Sequence, residues 1–283
     1  MTLSHTLAGT SPFRRKTILV TGSTDGIGKA TALALARLGH RVLVHGRDRE
    51  KGRAVLGEIR AETGSTDHGL FIADLSTLEG IRGLGTDVND RYERLDVLVN
   101  NAGVYQPERV LTADSLETTF AVNLLAPFFL SHLLQPLLAA AAPARIVNVA
   151  SGAHFDARSM DWENLQGERE YDGWGAYARS KLGVVLVTSA LARRLDPVQV
   201  TVNCLHPGVI CTKLLFSAFP SYPCDPPEAG ARTPVYLATS PTVAGVTGKY
   251  FDGMKKVRSS RIAHDRDVQD RLMEVLGKIA GIP

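Results

Sequence analysis

Thr17-Ile18-Leu19-Val20-Thr21-Gly22-Ser23-Thr24-Asp25-Gly26-Ile27-Gly28 decides the fold. Its first four residues form a short apolar run with the composition of a strand. The next eight are glycine-rich, and beyond them Ala30, Leu33, Ala34, Arg37 and Leu38 recur at helical spacing until Gly39. A strand, a glycine turn and a helix in that order place unpaired backbone N–H groups, and the positive end of the helix, where a pyrophosphate could sit. The spacing is Gly-x-x-x-Gly-x-Gly rather than the Gly-x-Gly-x-x-Gly of the commoner dinucleotide turn. Gly22, Ser23, Thr24, Gly26, Ile27 and Gly28 are the first candidates for cofactor contact.

Downstream, the same alternation repeats. A second strand, Arg41 to Gly46, ends in a neutral residue followed by Arg47. An acidic residue at that place would accept from a ribose 2′-hydroxyl and repel a 2′-phosphate, whereas a guanidinium would bind the phosphate, so NADP(H) is favoured over NAD(H). Asp48 lies close enough to blunt the preference. A helix from about Arg49 to Glu62 leads to a strand at His68–Ala73 and then to Asp74-Leu75, where the carboxylate could meet an adenine or cap the helix beginning near Thr77. A fourth strand, Asp96–Val99, runs into Asn100-Asn101-Ala102-Gly103, whose small residues admit a ligand close to the backbone.

Asp114 to about Leu138 reads as one long helix, bent or broken by Pro127 and Pro136, with Asn123 inside it. A fifth strand, Ala144–Val149, delivers Ser151 to the C-terminal edge of the sheet, where open α/β sheets bind ligands. The segment between Ser151 and Tyr177 holds Phe155, Met160, Tyr171 and both tryptophans, Trp162 and Trp174. Tyr177-Ala178-Arg179-Ser180-Lys181 then opens a further helix. Residues four apart share a helix face, so the Tyr177 hydroxyl and the Lys181 ammonium can enter one small volume. A phenol with a pKa of about 10 can be brought down by roughly 1–3 units by a neighbouring cation, and such a tyrosine could exchange a proton with a substrate oxygen.

A sixth strand, Val198–Leu205, ends at His206-Pro207-Gly208. His206 has no evident carboxylate partner and reads as structural. Val209 to Pro227 contains Leu214, Leu215, Phe216, Phe219 and Tyr222 and reads as a mobile apolar lid. A helix at Pro227–Thr239, a short strand at Gly248–Phe251 and a polar-rich helix at Asp265–Ile279 complete the chain. The fold class is therefore α/β: a single Rossmann-type, doubly wound parallel sheet of about seven strands flanked by helices. Residues 1–15 are expected to be a flexible N-terminal tail, and residues 16–283 a single dinucleotide-binding catalytic domain.

Composition narrows the functional classes. A net charge of +3 over 283 residues does not suggest nucleic acid, and Arg14-Arg15-Lys16 reads as a solvated flank. No apolar stretch near Met1 has the length of a signal peptide, and no run of about 18 apolar residues would span a membrane. Cys204, Cys211 and Cys224 lack metal-ligand spacing and read as free thiols in a reducing cytoplasm, with Cys204 a small core residue. No metal site is expected.

Taken together, TGSTDGIG (Thr21–Gly28), NNAG (Asn100–Gly103), Asn123, Ser151, Tyr177 with Lys181, and Pro207-Gly208 with Thr212 resemble the short-chain dehydrogenase/reductase family, in that family's order. Gly46-Arg47-Asp48, Leu165-Gln166-Gly167-Glu168, Trp174 and Val246–Phe251 resemble its retinol-dehydrogenase-like branch, which also shares the long Ser151–Tyr177 segment. The resemblance implies that Tyr177 is the acid or base at a carbonyl oxygen and that Lys181 lowers its pKa and holds the nicotinamide ribose. It further implies that Ser151 hydrogen-bonds the same oxygen, Asn123 holds a water linking Lys181 to solvent, and Thr212 orients the carboxamide. Asp74, Leu75, Asn101, Ala102, Gly103, Pro207 and Gly208 complete the cofactor set.

The expected activity is hydride transfer between NADP(H) and a small apolar alcohol, aldehyde or ketone, by a homo-oligomer in the cytoplasm. An NADP(H)-sensing regulator without turnover is the alternative; the intact Ser151, Tyr177 and Lys181 set speaks against it. Epimerisation or dehydration would call for a larger C-terminal substrate region than follows Thr212.

Overall fold

A computed structural model of the chain describes residues 14–282. Eight strands form one sheet in the order β3-β2-β1-β4-β5-β6-β7-β8. They are β1 (Thr17–Val20), β2 (Arg41–Gly46), β3 (Gly69–Ile72), β4 (Val97–Asn100), β5 (Ala144–Val149), β6 (Val200–His206), β7 (Tyr250–Asp252) and β8 (Lys255–Val257). All pairings are parallel except β7 with β8. β8 is the one strand that sequence periodicity did not anticipate; three exposed residues carry no apolar signal.

The helices are α1 (Gly26–Arg37), α2 (Arg49–Thr63), α3 (Leu78–Arg91), α4 (Thr118–Phe120), α5 (Ala126–Leu133), α6 (Gln135–Ala141), α7 (Gly173–Arg194), α8 (Lys213–Ala218), α9 (Pro227–Thr239) and α10 (Arg266–Ala280). One core cluster joins α1, α2 and α9 to one face of the sheet through Leu35, Val55, Ile59 and Leu237. The other joins α3, α5, α7 and α10 to the opposite face through Leu84, Leu130, Leu186 and Leu272. With both faces covered, β1, β4 and nearly all of β5 are buried, the near-continuous apolar pattern of a parallel sheet. Strand order reverses between β1 and β4, so the crevice beyond their C-terminal ends is the place for a ligand.

Three expectations are corrected. The long helix over 114–138 is four pieces. Asp114 accepts from the Leu78 amide at the start of α3, Glu117 caps α4, a π-helical turn fills Ala121–Leu125, and α5 and α6 meet at a bend of 56°. Pro127 and Pro136 sit in the first turns of α5 and α6, where a missing N–H leaves no hydrogen bond unmade. Arg14, Arg15 and Lys16 are not a freely solvated flank. Arg14 pairs with the buried Asp96 at 3.1 Å, Arg15 with Asp67 at 2.8 Å, and Lys16 donates to the Ala238 carbonyl at 2.9 Å. The remainder of the expected tail, residues 1–13, lies outside the described residues.

The third correction concerns the cysteines. Cys204 is a buried free thiol, but Cys211 and Cys224 are disulfide-bonded. A bridge between Ile210 and Asp225 brings the two ends of the Val209–Pro227 segment side by side, with a Cα–Cα distance of 5.2 Å between the cysteines. Spacing alone does not foresee that contact.

Among the described residues no single helix is long and apolar enough to cross a membrane; the bent stretch Thr118–Leu133 with Gln135–Ala141 is apolar enough and contributes to the core.

Candidate active site

The glycine turn is built by close approaches. Gly22 has φ +61°, and a Cβ there would stand 2.9 Å from the Ala102 Cα. A Cβ on Gly28 would collide with the Gly22 carbonyl and the Asn101 amide. Asn101 stitches the two turns together, its Nδ2 donating to Thr21 O at 2.9 Å and Gly22 O at 3.2 Å. Thr21 Oγ1 accepts from the backbone of both Asn101 and Ala102 at 3.0 Å. From the other side, His45 Nδ1 accepts from the Gly22 amide at 3.1 Å, while its Nε2 lies 3.2 Å from Ala73 O. Burial pushes the His45 pKa down to about 4, so the ring is neutral at physiological pH, as an acceptor at Nδ1 must be. Asp25 caps α1, accepting from Gly26 N at 2.8 Å, and pairs with Lys213 at 2.6 Å.

Deeper in the crevice, Ser151 follows β5, and Tyr177 and Lys181 come from α7; the tyrosine and the lysine are buried. Ser151 accepts a hydrogen bond from Ala153 N at 3.1 Å and hydrogen-bonds the Tyr177 hydroxyl. Lys181 Nζ donates to Val149 O at 3.0 Å and lies 5.6 Å from the centre of the Tyr177 ring. Burial pushes the phenol up to about 12, with the Ser151 hydrogen bond opposing, and pushes Lys181 down to about 8. Burial is the larger influence on the phenol and the Ser151 hydrogen bond the smaller.

These residues line one cavity of about 830 Å³ that runs from the glycine turn past Gly46, Arg47, Asp74 and Leu75 to Ser151 and Tyr177. All the candidate cofactor residues border it except Ser23. That side chain is fully buried, and its Oγ accepts from His45 N at 2.9 Å, so it shapes the turn from behind. Asn123 is also absent from the wall. Its Oδ1 accepts from Val104 N at 2.8 Å, and its Nδ2 donates to Val104 O at 2.9 Å and Ser180 Oγ at 3.1 Å. Both ends of the amide thus bond protein groups.

The outer wall is the Cys211–Cys224 segment. α8 is capped by Thr212, whose Oγ1 accepts from Leu215 N at 3.2 Å. Phe219 stands edge-on to Trp174 at 5.2 Å, and Trp174 stacks on Tyr177 at 5.7 Å. Tyr105 packs edge-on against the other side of Tyr177 at 6.1 Å. Sequence reasoning missed His45, Tyr105, His206 and Lys213 as cavity residues. Lys213, next to Thr212, and His206, next to Pro207, carried a local hint. No cluster of three or more histidine, cysteine or acidic side chains placed to hold a metal occurs among the described residues.

Comparison with known proteins agrees with this geometry. The family profile for short chain dehydrogenase matches residues 16–222. Human retinol dehydrogenase 13 is 40% identical over 282 residues, covering 94% of this chain and 85% of its own, and human retinol dehydrogenase 14 is 37% identical over 94% and 87%. Among solved structures, a short chain dehydrogenase from Salmonella enterica superposes with a TM-score of 0.70 at 29% identity, covering 86% of this chain and 97% of the other. One from Shigella flexneri, complexed with NADP, does so with a TM-score of 0.68 at 30% identity over 85% and 97%. A Rossmann-type sheet, a glycine cradle and a serine, tyrosine and lysine at one crevice thus belong to a chain of the short-chain dehydrogenase/reductase family, a retinol-dehydrogenase-like oxidoreductase acting on CH–OH groups with NAD(P).

Proposed function

We propose that the chain transfers hydride between NADP(H) and an apolar alcohol, aldehyde or ketone, with Ser151, Tyr177 and Lys181 as catalytic residues. The observation that carries this reading is the meeting of the Ser151 and Tyr177 hydroxyls beside Lys181, under a wall made of Trp174, Phe219 and Tyr105. When bound, the nicotinamide supplies or accepts the hydride.

The residues around it do the rest. The glycine cradle suits a pyrophosphate, because Gly22, Gly26 and Gly28 border the cavity without side chains where α1 begins. With its pKa at about 12, Tyr177 keeps its proton at neutral pH and gives it to the carbonyl oxygen on reduction; on oxidation it takes one back. Ser151 donates to the same oxygen as negative charge gathers there. Lys181 remains mostly protonated at neutral pH, and its charge favours the phenolate that a proton transfer leaves behind. Aromatic and aliphatic walls favour an apolar substrate, as the retinol dehydrogenases at about 40% identity suggest by name.

NADP(H) is favoured because β2 ends in Gly46 and the exposed Arg47 borders the cavity, with the Asp48 carboxylate held instead by the Glu50 and Lys51 amides at the start of α2. The NADP complex of the Shigella neighbour is in keeping with that preference. The sensor reading has no observation in its favour.

The test is oxidation of NADPH, with NADH alongside, over a panel of apolar aldehydes and ketones. Wild type is expected to turn over, and Tyr177→Phe to lose about 10²–10⁴ in kcat while still binding NADPH. A Tyr177→Phe enzyme as fast as wild type would remove Tyr177 as the acid.

A further inference from the structure

We infer that His154 and His206 are positioning residues for Ser151, holding between them both polar groups of the Ser151–Gly152 peptide unit. The inference rests on the role of Ser151 proposed above. His154 Nδ1 lies 2.7 Å from the Ser151 carbonyl oxygen. Its Nε2 accepts from the Ser260 amide at 3.2 Å, so Nδ1 carries the proton and donates to that carbonyl. His206 Nδ1 accepts from the Gly152 amide at 3.1 Å, which places its own proton on Nε2. One ring gives a hydrogen bond to the peptide's C=O, and the other takes one from its N–H. The two rings must therefore be neutral and in opposite tautomers.

Burial favours that state, lowering the pKa of both, with Asp252 opposing at His206. The clamp has a purpose at this place. Ser151 leaves β5 in extended backbone and caps only a short 3-10 turn, Gly152–Phe155, in which its carbonyl accepts from His154 N at a long 3.3 Å; its Oγ is oriented by Ala153 N and Tyr177. β5 itself is tied down as far as Ala150 N, which donates to Leu205 O at 2.8 Å, and by Lys181 on Val149 O. Two peptide units on, the Ser151–Gly152 unit has both its polar groups met by the two imidazoles. His154 is fully buried and stacked between Phe155 at 3.9 Å and Tyr250 at 4.6 Å, so it carries the restraint to β7 and to the Ser260 backbone.

A double-mutant cycle tests the arrangement on the intact enzyme with NADPH and a turned-over aldehyde. His206→Leu is expected to lower kcat about tenfold, the loss of one buried hydrogen bond, and NADPH affinity by less than that. His206→Asn, whose amide oxygen can stand where Nδ1 stood, is expected to recover most of that loss. In a Ser151→Ala background, His206→Leu should cost little more. Full additivity, or His206→Asn no better than His206→Leu, would overturn the positioning role. Ser151→Ala with wild-type kcat would instead remove the serine's role, and the clamp's purpose with it. Should the leucine variant fail to fold, histidine-selective nitrogen NMR of wild type decides: protonated Nδ1 at His154 with protonated Nε2 at His206 supports the clamp, and any other pairing refutes it.

Discussion

Two walls of one cavity are made on different principles. The cofactor groove, from Gly22 through Gly46 to Asn101, is shaped by backbone: close Cα approaches, amides bonded to Thr21 and His45, and a helix that starts where the turn ends. The outer flap, from Val209 to Pro227, is shaped by side chains: a disulfide, a short helix, and rings of Phe219 and Tyr222 that are each at least a third exposed. Backbone geometry admits little variation, so the groove fits one class of ligand. Side chains can be exchanged, so the flap is where substrate choice can differ between relatives.

The sharpest way to break the contrast is to add one side chain to the groove. Gly28→Val places atoms against the Gly22 carbonyl and the Asn101 amide. Cofactor affinity should fall by at least about 100-fold, with turnover lost alongside it, since the obstacle is backbone that cannot step aside. Isothermal titration with NADPH reads this directly, and unchanged affinity would mean the groove is less rigid than its contacts imply.

Acid should act on the groove as well. His45 is neutral in the fold with a pKa of about 4, against about 6.5 unfolded. The unfolded chain therefore binds more protons between those values, and stability present above pH 6.5 is lost as pH falls towards 4, by of the order of 3 kcal/mol. Denaturant titrations of wild type and His45→Asn between pH 7 and 4.5 check this; parallel pH profiles would count against it.

Smaller effects sharpen the comparison. Arg47→Ala should weaken NADPH binding about tenfold and NADH binding much less; equal losses would remove the 2′-phosphate argument. Opening the Cys211–Cys224 bridge with a dithiol, or by Cys224→Ser, should raise the substrate KM severalfold and weaken NADPH binding less, because the bridge ties the flap itself, which meets the glycine turn through Thr212 and through Lys213 on Asp25. A larger loss of NADPH affinity than of substrate binding on reduction would show that the bridge serves the groove first.

The same division explains what was legible in the residues. β1, β2, β5 and α9 fell where periodicity and caps placed them, and Tyr177 with Lys181 met on one helix face, because those signals are local. The disulfide, the histidine bonds to Gly22 and Gly152, and the Arg14–Asp96 pair join residues 13, 23, 54 and 82 positions apart and leave no periodic trace. Asn123 is a different case. The residue was marked, but its hydrogen bonds depend on a wide helical turn that proline positions alone do not announce.

That wide turn has an evolutionary side. Ala121–Leu125 carries in effect one residue more than a regular helix would need, and Asn123 sits inside it, reaching Val104 and Ser180. Deleting one residue there would let the chain relax into an ordinary helix while turning the asparagine off its partners. A relative that kept the fold but lost the ties from this helix to Val104 and Ser180 would carry the mark here, as a gap of one.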